Sequence, residues 1–223
     1  MCARFTVKDV APLLKARFDI DIAPLPIGEK GYNLAPTDAA PTILDSADDH
    51  FSMLEWGFGL PTETGSYKPV VNARMETVDS KPLFRDSFFE QHCLVPAGGY
   101  FEWEKQGSAR LPWRITRSDG QPFAFAGLWR KEKRRKSTMV FTILTAPAHP
   151  DLEWLHDRMP IILPPNYERD WLAGANPKEM IEAAVADFQV QDYTWFRVDP
   201  KVNSSRAEGP DLIKPGQQQG SLF

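Results

Sequence analysis

Residues 92–105 read HCLVPAGGYFEWEK, and the two halves of this stretch carry different patterns. His92–Ala97 is an unbroken apolar run of strand length, as in a strand buried on both faces. From Tyr100 the pattern alternates. Tyr100, Glu102 and Glu104 fall on one face of an extended chain, and Phe101 and Trp103 on the other. Gly98 and Gly99 stand between the halves, where a missing Cβ permits a bend or the close approach of another backbone. Glu102 is set among aromatic residues, so desolvation penalises its charged form and moves its pKa toward the acid–base range. Glu104 and Lys105 fit a solvated strand end.

Outward from this stretch, short strand-like runs alternate with turn signals. ARFTV (3–7) reads as a strand. KDVAPLLKARF (8–18) reads as a helix, with Asp9 as its cap and Val10, Leu13 and Leu14 as its apolar stripe. A proline-rich crossing, 22–44, leads to a strand near its end. FSMLEWGF (51–58) is a strand, LPTETGSYKPV (60–70) a loop, and VVNARMETV (70–78) a strand running into a turn. PLFRDSFFEQ (82–91) reads as a helix burying Leu83, Phe84, Phe88 and Phe89. PWRITR, PFAFAGLWRK and TMVFTILTA are further strands, with SDGQ (118–121) as a hairpin turn between the first two. HPDLEWLHDR is helical in pattern, MPIILPP a strand, NYERDWLAGA and PKEMIEAAV helices, and TWFRVD a last strand. Strands outnumber helices. The expected fold class is α+β: one domain over 1–214, with a mostly antiparallel, barrel-like β core and peripheral helices, then a flexible tail, 215–223.

The composition narrows the function. The chain has 223 residues, 42% hydrophobic and 25% charged. No run approaches the roughly 18 apolar residues of a membrane span, and the start lacks the basic-then-apolar layout of a signal peptide. A cytoplasmic protein is expected. Cys2 and Cys93 make no disulfide framework, and the four histidines show no ligand spacing, so no metal site is expected. A net charge of −4 argues against nonspecific coating of nucleic acid, although a local basic groove remains compatible with it. GxSxG, phosphate-loop and GxGxxG signatures are absent.

Three further places are polar where packing alone would not put polar groups. In VVNAR, Asn72 and Arg74 share one face, offering an amide and a phosphate-gripping fork. In LHDRMPIIL, His156, Asp157 and Arg158 stand just before a buried strand, where rigid elements position catalytic loops. KEKRRKS (131–137) reads as a solvated hairpin tip, with contact to a nucleic-acid backbone as the alternative.

Taken in order, MCARF, GYNLAP, EWGF, VNARMET, LVPAGGYFEWEK, FAGLW, ILTAPAH, LHDRMPIIL and VNSSRAEGPDLI resemble the SRAP family, the SOS-response-associated peptidases also described as abasic-site processing proteins. The resemblance spans Cys2 to about Leu212. It implies binding of single-stranded DNA that contains an abasic site. It further implies a covalent thiazolidine crosslink through Cys2, exposed by removal of Met1, without a cofactor, by a monomer associated with the nucleoid. Carried over residue by residue, it assigns catalysis to Cys2, Asn72, Glu102 and His156, and DNA phosphates to Arg4, Arg74 and Arg158. The word peptidase adds self-removal of Met1 as an alternative activity; a noncovalent reader of unusual single-stranded DNA is another. Two departures stand out. Ala3 replaces the family's usual glycine. The loop after Trp56–Gly57 lacks the tryptophan that wedges between bases, leaving Phe58, Leu60 and Tyr67 as candidates for that role. Separately, QGSLF at 219–223 resembles the short peptides that dock into the bacterial sliding clamp, with Gln219, Leu222 and Phe223 as anchors.

Overall fold

The structure, a computed structural model, describes residues 2–18, 30–44, 51–133 and 137–216. The strands in chain order are β1 (Phe5–Thr6), β2 (Ala39–Thr42), β3 (Ser52–Trp56), β4 (Phe58–Pro61), β5 (Tyr67–Val70), β6 (Asn72–Arg74), β7 (His92–Ala97), β8 (Gly99–Gln106), β9 (Ala109–Arg117), β10 (Phe123–Lys133), β11 (Ser137–Pro147), β12 (Arg158–Pro160), β13 (Ile162–Leu163) and β14 (Tyr193–Arg197). The helices are α1 (Ala11–Phe18), α2 (Arg85–Glu90), α3 (Pro150–Glu153), α4 (Pro165–Ala173) and α5 (Pro177–Ala186). None of these helices is long and apolar enough to cross a membrane.

The fold is α+β and mostly antiparallel, in two main sheets. One runs β1–β8–β9–β14. The other runs β13–β10–β11–β3–β2, with β7 also on β10, and β6 and β12 on β11. Only β11–β3 and β11–β6 pair in parallel among the described strands. β4 and β5 form a separate hairpin, so the segment read from sequence as a loop is a two-stranded excursion. Ile43, just past β2, exchanges two backbone hydrogen bonds with Leu94 of β7. The larger sheet therefore curls until its margins meet at one residue pair. Because no full ladder forms at that seam, the expected barrel-like core is a curled sheet and not a closed barrel.

HCLVPAGGYFEWEK is the hinge between the sheets. β7 belongs to the larger sheet and β8 to the smaller, and Gly98 hands the chain from one to the other. The SDGQ turn does the same between β9 and β10, and so is not the hairpin its residues suggested. Both edges of β9 are already taken by β8 and β14, while β10 finds β7 and β11.

Period-two alternation sorts side chains into layers. Cys93, Val95, Phe125, Phe141 and Ile143 face inward and join Cys2, Phe5, Tyr100 and Ile115 in the core between the sheets. Leu94, Ala124, Ala126, Val140 and Leu144 face the other way, under Phe84, Phe88, Trp171 and Ile181. A small third cluster holds Phe101 against Val198, Val202 and Leu212. Several local expectations change. Phe89 is 54% exposed, since α2 is too short to bury both neighbouring phenylalanines. Asp9 caps nothing; its carboxylate pairs with Arg114 of β9 instead. Residues 134–136 of KEKRRKS, and the tail with Gln219, Leu222 and Phe223, lie outside the described residues.

The glycine pair has a packing reason. A Cβ on Gly98 would lie 2.4 Å from Asp9 Oδ2, and one on Gly99 2.8 Å from the Ile115 carbonyl oxygen. Arg114 also donates to the Gly98 carbonyl at 3.2 Å, and the Thr116 hydroxyl to the same oxygen at 2.6 Å. No side chain fits between β8 and this buried network. Gly99→Ala should therefore destabilise the protein by about 1–3 kcal/mol, because it overpacks against backbone. Urea unfolding checks this; a midpoint equal to wild type would refute the steric account.

Candidate functional site

The start of the described chain is held from several sides. Phe5 and Thr6 pair with Tyr100 and Gly99. Phe5 and Leu34 exchange two backbone hydrogen bonds, and Phe101 N–H donates to the Arg4 carbonyl at 3.0 Å. The Phe5 ring packs edge-on against Trp56 and Phe125, with centroids 5.1 and 5.9 Å away. These contacts leave Cys2 fully buried. Its thiol lies 3.7 Å from the Arg4 carbonyl oxygen, to which it donates. Asn72 Nδ2 donates to the Cys2 carbonyl at 2.8 Å. Asn72 can do this because β6 runs beside β11, with Ala73 turned into the cluster under Phe84 and Trp171 and Asn72 turned to the opposite side, where Cys2 lies.

Glu102 sits on β8, on the face of Tyr100, and is 4% exposed. Burial pushes its carboxyl up to about 7, and the nearby charge of Asp157 adds to the rise. Burial also pushes the Cys2 thiol far up, with the Glu102 charge reinforcing it. The two groups are thus electrostatic neighbours in one dry place. Glu104, two residues along the same face, behaves in the opposite way. Gln106, Trp113 and Arg197 donate to its oxygens and hold it below the usual carboxylate range. One strand face therefore carries an acid near neutrality and an ordinary anion.

His156 lies past the end of α3, in the turn that enters β12. Its Nδ1 is 2.9 Å from the Arg158 N–H and 2.7 Å from Asp157 Oδ1. A ring with this nitrogen bare accepts from the amide; a protonated ring donates to the carboxylate. Burial lowers the histidine pKa and so favours the neutral ring near pH 7.

The three arginines are not equivalent. Arg158 is 9% exposed; it grips Glu76 with both terminal nitrogens, at 2.5 and 3.0 Å, and donates to the Thr145 carbonyl at 2.6 Å. Arg4 donates to Asn33 Oδ1 at 3.0 Å and to the Val202 carbonyl at 2.9 Å. Both guanidinium groups are thereby engaged within the protein, where they tie loops together. Arg74 is exposed at the end of β6. Phe58, one candidate for an apolar wedge, is fully buried under Arg130, while Leu60 and Tyr67 are exposed on the β4–β5 hairpin.

Sequence reading gave no role to Asn33, Glu76 or Glu208. Asn33 is fully buried and donates to the carbonyls of Ser204 and Ala207 at 2.9 and 3.1 Å. The Glu208 carboxylate accepts from the N–H groups of Gly31, Tyr32 and Asn33. The available signal was the pair of segments GYNLAP and VNSSRAEG, which these bonds clasp together.

The sequence and the fold have relatives. The family model described as SOS response associated peptidase (SRAP) matches residues 1–205, and the chain belongs to that family. The abasic site processing protein YoqW of Bacillus subtilis is 33% identical over 227 residues, covering 96% of this chain and 99% of that one. The abasic site processing protein YedK of Escherichia coli is 31% identical over 224 residues, covering 96% and 100%. A crystal structure from Bacteroides thetaiotaomicron shares the fold at a TM-score of 0.81 and 24% identity, over 96% of this chain and 100% of that one.

The raised carboxyl makes stability depend on pH. In the unfolded chain Glu102 ionises near 4.5, and in the fold near 7. Between those values the folded state holds the extra proton. Its contribution is fully present below pH 4.5 and is lost as pH rises through 7, a swing of about 3 kcal/mol. Glu102→Gln cannot ionise, so its stability should gain on wild type between pH 5 and pH 8. Parallel stability–pH curves from denaturant melts would remove the assigned burial effect.

Proposed function

We propose that this protein recognises abasic sites in single-stranded DNA and joins them covalently through Cys2. The observation that carries the reading is a near-neutral carboxyl, Glu102, buried beside the Cys2 thiol in a chain whose relatives process abasic sites.

An abasic deoxyribose in its open form presents an aldehyde at C1′. Removal of Met1, which methionine aminopeptidases favour before a residue as small as cysteine, gives Cys2 a free α-amine next to its thiol. With an ordinary pKa of about 7.7–8.0, that amine is partly neutral at cellular pH and adds to C1′. The product is a carbinolamine. Protonated Glu102 gives its proton to the carbinolamine hydroxyl, which leaves as water, and an iminium remains. The Glu102 carboxylate then takes the thiol proton as sulfur attacks the iminium carbon. A five-membered thiazolidine closes, and Glu102 is again protonated. One water is released and no cofactor is consumed. Ring closure is intramolecular and so has a high effective molarity. A carboxyl near 7 suits both transfers, since each protonation state is populated at working pH.

The other groups have matching tasks. Asn72 fixes the Cys2 carbonyl and so the direction of the amine and thiol. Neutral His156 exchanges protons with the sugar oxygen to favour the open aldehyde. Arg74 meets phosphate from the surface, whereas Arg158 and Arg4 act from within by holding Glu76 and the Val202 segment. A noncovalent reader would lack any adduct that survives denaturation, and its binding would be reversed by salt.

An oligonucleotide with one abasic site tests the chemistry. Wild type should give a denaturation-resistant species on a gel and Cys2→Ala none; equal amounts from both would sink the mechanism. Glu102→Gln should slow the adduct about 10²- to 10⁴-fold while retaining noncovalent binding, the range for losing a general acid–base group. Equal loss of both would return Glu102 to a structural role. Arg74→Ala should weaken binding to any strand alike and lower the salt slope by about 0.7, the value for one phosphate contact on a single strand. An unchanged slope, measured by anisotropy across a salt series, would take Arg74 off the phosphate.

A further inference from the structure

Trp154 is 47% exposed, yet its indole is held in place. It follows directly on α3, and its Nε1–H donates to the Asp151 carbonyl at 2.9 Å. Its ring meets Trp113 edge to face, with centroids 5.0 Å apart and planes at 82°. Trp113 lies directly opposite Glu102 in the β8–β9 ladder. Trp154 is also two residues before His156. The exposed ring thus stands against the ladder partner of Glu102 and two residues from His156. An arginine paired with Glu104 lies over the bracing ring. The Arg197 guanidinium lies 5.4 Å from the Trp113 ring centre, with half of its side chain exposed.

Exposed indole surface is costly to leave in water, and the usual remedy is a partner with a flat apolar face. The only hydrogen-bonding group of this indole is already spent on Asp151. What remains for a partner is ring surface without a donor, which suits stacking and not edge recognition. Single-stranded nucleic acids are bound in this way, with bases laid on aromatic rings and the backbone tracked by cations. Every base has a π-face, so such a contact tolerates sequence.

We propose that Trp154, braced by Trp113, stacks on a nucleobase adjacent to the lesion and so fixes the register of the strand over Cys2. The proposal rests on the reading of the site as one for abasic single-stranded DNA. Rigidity gives it an energetic basis, because an indole whose orientation is already set loses little freedom when a base docks on it.

The test uses two fluorescent oligonucleotides of equal length, each with a tetrahydrofuran residue in place of the abasic sugar. This analogue has no aldehyde, so anisotropy reads noncovalent binding alone. In the first strand the neighbouring nucleotides carry ordinary bases. In the second they too are tetrahydrofuran. Trp154→Ala should weaken binding of the first strand roughly five- to a hundredfold, the loss of one base–aromatic stack. It should bind the second strand as wild type does, and Trp154→Phe should recover most of the affinity for the first. Equal binding of the first strand by wild type and Trp154→Ala overturns the proposal. So does an equal loss on both strands, which would mean that Trp154 acts only by supporting the fold. If wild type also forms the denaturation-resistant adduct with an aldehyde-bearing strand, these failures leave the reading of the site intact. A wild-type protein that binds neither strand and forms no adduct brings down both.

Discussion

The structure depends on holding a chain start that would ordinarily fray. Phe5 and Thr6 are a very short strand, and two residues of ladder would not secure a terminus alone. The rest of the grip comes from elsewhere. Phe5 is driven between Trp56 and Phe125, Leu34 bonds its backbone from one side, and Asn72 takes the Cys2 carbonyl from another. Burying a phenylalanine contributes about 1.5–3 kcal/mol, comparable to one or two net hydrogen bonds. Together these contacts deliver Cys2 to the inner core, where both its sulfur and its backbone have fixed positions.

Desolvation then does different things to identical side chains. Glu102 and Glu104 share one face of β8, two residues apart. Glu104 faces donors and stays an ordinary anion. Glu102 lies deeper, between the sheets, and near neutral pH it is shared between acid and base forms. The same dry surroundings push the Cys2 thiol pKa up, and the Glu102 charge adds to the rise, so the two groups are coupled electrostatically.

The arginines show how far a sequence pattern reaches. NARMET and HDRMP each offer a cation beside a polar residue, and both suggest a hand for phosphate. The fold separates them. β6 and β12 pair with opposite edges of β11, both at Thr145, so Arg158 reaches across that strand to Glu76 in the turn after β6. A buried guanidinium requires such a partner. Arg74, at the end of β6, lies near enough to Glu76 to feel its charge but remains exposed. Local spacing cannot report this, because the partner is 82 residues distant.

By itself the sequence determined the α+β class, the break at Gly98–Gly99, the alternation that puts Glu102 with Tyr100, and the motif order that marks the family. These depend on local periodicity and on residue chemistry. Tertiary structure alone decided that β7 and β8 belong to different sheets, that SDGQ joins sheets instead of making a hairpin, and that the larger sheet curls without closing. It also decided that Asp9 pairs with Arg114 and that Trp154 meets Trp113 beside Glu102. All of these are contacts between distant segments. They are chosen by which strand edges are already occupied and by which charges burial forces together, and neither condition exists until the chain has folded.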